Sequence, residues 1–178
     1  MTNIEKELIT EWSLDRADKT FSHLRAVYWG RNTDKIFIEK SKVLEDMFSK
    51  YDSTYPKDVQ IFRGIRFKKA THRDEYYNLL DTYKSVNKID TVAIDMAPSS
   101  FSKEERTAKK FGSFDDKRYY TILFELSKRK SNELDIESVS ANKGQREIII
   151  QTHKARYNIV DIIISELKDK TIIILEEN

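Results

Sequence analysis

The run from 159 to 175 constrains the fold of this chain more than any other. Two Ile-rich stretches, 159–164 and 171–175, flank Glu166-Leu167-Lys168-Asp169-Lys170. Branched side chains favour the pleated, half-buried surface of a strand, and a short polar interval between two such runs predicts a hairpin. Strand chemistry recurs upstream at 59–67, 119–126 and 147–150. Residues 1–52 follow the other period, with Val43, Leu44, Met47 and Phe48 on one face of a helix. Helical patterns also occupy 76–83 and 103–110, between strands. The expectation is an α+β fold, a helical half (1–52) followed by a strand-rich half (53–178) built on mostly antiparallel sheet. With 4 Gly, 2 Pro and neither repeat nor low-complexity linker, residues 1–178 are expected to form a single domain.

Composition removes several function classes. Lys and Arg number 32 against 30 Asp and Glu, a net charge of +2, too balanced for nucleic-acid binding through the global field. The absence of cysteine excludes disulfides, thiolate metal sites and cysteine nucleophiles. His23, His72 and His153 are scattered, so no metal is expected. Residues 1–7 lack the apolar core of a signal peptide, Met1 counts against a signal already removed, and no run approaches the ~20 apolar residues of a membrane span. The expected location is cytoplasmic.

Three short blocks beside these strands carry the chemistry. Period two puts Val59, Ile61, Arg63, Ile65 and Phe67 on one strand face. A guanidinium among four large apolar side chains needs a ligand phosphate, a Glu or Asp, or water at an edge strand. Gly64 marks a bulge or the close approach of another group, such as a ligand. Ser102-Lys103-Glu104-Glu105 has the capping-box pattern, which makes Ser102 an N-cap, and Gly112 suits the far end of that helix. Ser100 lies outside the cap, after Pro98, where a hydroxyl could donate to a carboxylate; the sequence identifies no base to activate it as a nucleophile. Gln145 and Glu147, two apart at a strand start, are expected on one side with Arg146 on the other, and Gly144 allows a sharp entry. A carboxylate beside an amide can bind sugar hydroxyls or stabilise positive charge on a sugar ring; a solvated strand end is the plainer reading.

Together these blocks resemble the ADP-ribosyltransferases of the arginine–serine–glutamate type, over roughly residues 20–178. Phe62-Arg63-Gly64 resembles the family's arginine strand. Ser100-Phe101-Ser102, with Ala108 and Phe111 following, resembles its Ser-Thr-Ser block and next helix. Gln145-Arg146-Glu147 resembles its Gln-x-Glu motif. The C-terminal stretch looks most like the Rho-modifying clostridial exoenzymes, and the small size also suits phage-encoded members. The resemblance implies a core of two sheets with NAD, as substrate, in a cleft between them. It implies that Arg63 contacts the NAD phosphates and the Gly64 backbone holds the nicotinamide amide. Ser100 would orient Glu147, and Glu147 would bond the 2′-hydroxyl of the nicotinamide ribose. Ser102, Phe111 and Arg118 fall among the NAD-binding positions, the loop 111–118 being either a cover over NAD or a solvated turn. Gln145 takes the acceptor position and Asn142 the target-recognition turn. Glutamine there accompanies asparagine or guanine acceptors rather than arginine.

The implied activity is mono-ADP-ribosyl transfer from NAD to a protein of a host or target cell, by a monomer that releases nicotinamide. Transfer to guanine in nucleic acid, a plain NAD glycohydrolase and a non-catalytic binding module on the same fold are the alternatives. Two departures stand out: Phe101 where the family has threonine, and Asn142 where the Rho-modifying relatives carry an aromatic.

Overall fold

The computed structural model of the chain describes residues 1–14, 20–86, 90–141 and 144–178. In chain order the elements are α1 (Asn3–Leu14), α2 (Thr20–Tyr28), α3 (Lys35–Lys50), β1 (Ile61–Lys68), α4 (Arg73–Ser85), β2 (Ser99–Ser102), α5 (Glu105–Phe111), β3 (Tyr119–Ser127), β4 (Glu133–Asp135), β5 (Glu147–Ile150), a 3-10 turn (Thr152–Lys154), β6 (Tyr157–Ile164) and β7 (Lys170–Glu177). They form two compact units, one of residues 1–55, 95–100 and 131–154, the other of 56–94, 101–130 and 155–178. Among the described residues no helix is long and apolar enough to cross a membrane.

The first unit packs α1, α2 and α3 over short strands. A capping box opens α1: the Thr2 N–H donates to the Glu5 carboxylate, and the Glu5 N–H donates to Thr2 Oγ1 at 3.3 Å. The Thr2 bond, ahead of bonds from Tyr51 and Lys50, holds the Glu5 carboxyl down at about 2. Asp34 caps α3 by accepting the Ile36 N–H at 2.9 Å. Leu44, Met47 and Phe48 are buried as their spacing predicts, in a core with Leu8, Ile9, Trp12, Leu24, Leu134, Ile136 and Ile149; Val43 packs on its margin. β4 runs antiparallel to β5, from Glu133↔Ile150 to Asp135↔Ile148, and β5 neighbours β2 in the strand order. All four residues of β5 are buried, so Ile148, Ile149 and Ile150 form an unbroken apolar run rather than alternating.

The second unit holds β1, β3, β7 and β6, neighbours in that order in a seven-stranded sheet, with Phe101 and Ser102 at the end of β2, the neighbour of β1. β1 and β3 pair antiparallel without a break from Ile61↔Leu126 to Lys68↔Tyr119. β7 joins β3 in parallel, and β6 joins β7 antiparallel as the expected hairpin. Alternation along β1 sends Phe67 against Tyr76 of α4, with ring centroids 5.8 Å apart. It sends Phe62 the other way, into a cluster with Ala108 of α5, Phe114, Leu123 and Ile172. Val59 precedes the strand and is 42% exposed, so the predicted apolar face begins at Ile61. β2 and β4 were not foreseen as strands: four and three residues are too few to show a period.

Candidate active site

Arg63 sits in the middle of β1, opposite Phe124, half-buried on the α4 side. Gly64 faces α5. A Cβ built there would lie 2.0 Å from Ala108 O and 2.8 Å from Gly112 N. The pairing passes unbroken through Gly64↔Leu123, so there is no bulge, and the close approach that glycine permits is that of α5's own backbone.

The capping-box expectation for Ser102 is corrected. Ser102 ends β2, where it pairs with Phe62, and this keeps it extended. The helix therefore starts later, at Glu105 rather than Lys103, with Glu104 as its N-cap and no side-chain cap bond. Ser102 Oγ instead accepts the Glu104 N–H at 3.1 Å, a local turn two residues along. Gly112 closes α5 as expected, donating its N–H to Ala108 O at 2.9 Å.

Phe111, the last residue of α5, is 51% exposed. In the turn that follows, Arg118 forks onto Asp116, with Nε 3.0 and 3.1 Å from the two carboxylate oxygens and Nη2 2.6 Å from Oδ2. That guanidinium holds the Asp116 carboxyl down at about 2, and Asp116 in turn raises Arg118. The Arg118 side chain stays 82% exposed, so the pair orients the cation without covering it.

In the first unit, Ser100 lies on β2 and accepts the Trp12 indole N–H on Oγ at 2.9 Å. Asp95 fastens the segment leading into it. Its carboxylate accepts from Arg25 Nη2, from Trp29 Nε1 at 3.3 Å, from the Ala97 N–H at 3.1 Å and from Ser99 Oγ at 3.4 Å. Glu147 opens β5 with its side chain buried, 7% exposed. Gln145 is half-buried and precedes the strand. Gly144 has φ 96° and Arg146 φ 46°, so the pleat begins only at Glu147. The period-two argument for Gln145 and Glu147 on one side does not extend back across a left-handed residue. Asn142 lies outside the described residues.

Beyond β5, Glu45 of α3 accepts from Tyr28 Oη at 2.7 Å, Gln151 Nε2 at 3.0 Å, His153 Nε2 at 3.1 Å and Lys154 Nζ. Burial alone would raise the Glu45 carboxyl, but the bonds from His153, Lys154 and Tyr28 hold it at about 2. Burial, then Glu45, pushes the Tyr28 hydroxyl up.

Sequence reasoning missed Trp12, Asp95 and Arg25. Trp12 and Ser100 are 88 residues apart, and nothing local to either announces the pair.

Neither a protein-family model nor a curated protein matches the chain by sequence. Solved structures do match by shape. The Vis toxin, an ADP-ribosyltransferase from Vibrio splendidus, superposes with a TM-score of 0.68 at 19% identity, over 99% of this chain and 74% of that one. The Clostridium limosum C3 exoenzyme gives 0.68 at 20% identity, over 100% and 86%. C3stau2 from S. aureus, solved with NAD, gives 0.68 at 16% identity, over 100% and 88%. At these identities the likeness is one of fold, and the fold of this chain is that of the bacterial mono-ADP-ribosyltransferases.

Proposed function

We propose that this chain is an NAD-dependent mono-ADP-ribosyltransferase, one functional domain acting as a monomer in the cytosol of a host or target cell. One observation carries the reading: the three sequence blocks fall on β1, β2 and at the start of β5 of a fold shared with enzymes of that activity. The donor set fits a pyridine dinucleotide, with a guanidinium for the diphosphate and a carboxylate and hydroxyl for a ribose.

Arg63 contacts the NAD phosphates, with Arg118 and Ser102 as further polar contacts and Phe111 as an apolar one. The Gly64 backbone holds the nicotinamide amide. Glu147, oriented by Ser100, accepts a hydrogen bond from the ribose 2′-hydroxyl. The bond from ribose C1′ to the nicotinamide nitrogen then breaks, and its electron pair neutralises the pyridinium. Positive charge left on the ribose is stabilised by the Glu147 carboxylate, whose burial strengthens the interaction. A lone pair of the acceptor closes onto C1′ and the acceptor loses a proton. Gln145 and Asn142 select the acceptor, a protein side chain other than arginine, since an amide gives a guanidinium no counter-charge.

The test is incubation with labelled NAD and a cell lysate, followed by mapping of the modified residue. Label is expected on protein, with nicotinamide released, and is expected to disappear with Glu147→Gln. Full transfer by that variant overturns the assignment. Gln145 also permits guanine as the acceptor, which the near-neutral net charge of +2 disfavours; label on purified DNA but not on protein would reverse that ranking.

A further inference from the structure

We propose that the end of α1 is a positioning element for this site: Trp12 fixes the Ser100 hydroxyl, and Ser13 fixes the backbone of Ala141. The inference rests on the transferase reading above. Its ground is that two adjacent helical residues bond two separate segments, one of them the serine block. The Trp12 indole N–H donates to Ser100 Oγ at 2.9 Å, and Ser13 Oγ accepts the Ala141 N–H at 3.0 Å. Ala141 lies three residues before Gly144. Neighbours on a helix point about 100° apart, so one turn can reach two separate segments.

The direction of the Trp12 bond has a chemical consequence. An indole N–H only donates. It takes up a lone pair of Ser100 Oγ, so the serine O–H remains the donor of that group. β5, which Glu147 opens, neighbours β2 in the strand order, and Ser100 belongs to the same compact unit. In the proposed site the acceptor is the Glu147 carboxylate, and a hydroxyl that already accepts one hydrogen bond donates a stronger one.

Trp12 is held to this task. It is 2% exposed and edge-on to Phe21, with centroids 4.8 Å apart. The backbone before Ser100 is pinned independently, by the four donors on Asp95 and by Thr152 Oγ1 donating to Ala97 O at 2.6 Å. The backbone therefore has its own anchors, and the indole sets the hydroxyl. Ser13 is equally committed, since it donates to Thr10 O at 3.0 Å while accepting from Ala141.

The experiment uses Trp12→Phe, which keeps an aromatic ring and removes the N–H, and Ser13→Ala. Nicotinamide release, NAD affinity by calorimetry and melting temperature are measured for each. Either change is expected to lower kcat about tenfold, the net worth of one hydrogen bond, with NAD affinity held within about twofold. In a Ser100→Ala background, Trp12→Phe should change kcat by less than about twofold, because its effect passes through that hydroxyl. Full kcat in both single variants, or an undiminished Trp12→Phe effect without Ser100, overturns the proposal. A spectroscopic readout stands apart from activity. The chain has 2 tryptophans, so Trp12→Phe assigns one of two indole N–H resonances, and Ser100→Ala must shift that one alone. An unmoved resonance refutes the positioning role even with the transferase reading intact. A wild-type chain that binds no NAD refutes the transferase reading, and this role with it.

Discussion

Gly64→Ala is expected to destabilise the fold with no ligand present. The new Cβ would sit 2.0 Å from Ala108 O, where real Cβ atoms essentially never come within 3.0 Å, so α5 or β1 must give by at least 1.0 Å. Little can yield locally. Ala108 O is also the acceptor for the Gly112 N–H that closes α5, and Ala108 is 2% exposed beside Phe114 and Leu123. Overpacking by one methyl costs about 1–3 kcal/mol, and a backbone obstacle puts this case at the upper end. Reduced freedom of the unfolded chain returns about 0.4–1 kcal/mol. The net loss is about 2 kcal/mol, which for a chain of this length lowers Tm by about 4–8 °C. Thermal melting without NAD measures it. Gly30→Ala is the control: Gly30 has φ +68° but no atom within 4 Å of its added Cβ, so only the left-handed backbone cost of about 1 kcal/mol applies. A Gly64→Ala protein that melts at or above the wild-type temperature refutes the packing argument. Full stability with lost NAD affinity would mean that the glycine makes room for a ligand rather than for α5.

Glu147→Gln should reduce nicotinamide release by more than about 100-fold, at least ~3 kcal/mol of transition-state stabilisation, in a steady-state assay. Glu45→Gln should flatten the acid limb of stability. The folded Glu45 carboxyl lies at about 2, below its ordinary 4.5, so its contribution is complete above pH 4.5 and is lost as pH falls toward 2. With His153, Lys154 and Tyr28 as the facing groups, that contribution is at most about 3 kcal/mol, and parallel urea midpoints for wild type and variant across this window would contradict it. Phe101→Thr should cost about 3 kcal/mol of stability by denaturant titration, because it empties a buried site, and should raise no transferase rate.

The elements with a period were legible. The α3 face, the long strands β1 and β3 and the β6–β7 hairpin follow from spacing and branched side chains. Short strands and turn conformations were not. Ser102 looked like a helix cap because Ser-x-x-Glu is a local pattern, but the β1 partner of Ser102 decides its backbone. Gln145 looked paired in direction with Glu147 because alternation was carried across Arg146, whose positive φ no spacing argument reveals. Arg63, Ser100 and Glu147 could be nominated since each sits in a distinctive string. Trp12 and Asp95 could not, because their part is a contact with residues 88 and 4 positions away whose types are common.

The departure at Phe101 bears on whether the serine block is intact or worn. Along β2 side chains alternate, so Ser99 and Phe101 share one face while Ser100 and Ser102 share the other. Ser99 is 0% and Phe101 2% exposed. Ser100 and Ser102, by contrast, use their hydroxyls as acceptors, for Trp12 and for Glu104. The phenylalanine at 101 therefore occupies a buried position on the face away from Ser100. A chain that had drifted into a mere scaffold would be free to lose the residues on the hydroxyl face first. Here that face keeps both serines and a buried tryptophan directed at one of them. The size of Phe101 is thus accounted for by packing, and NAD calorimetry together with nicotinamide release decides between a transferase and a non-catalytic module.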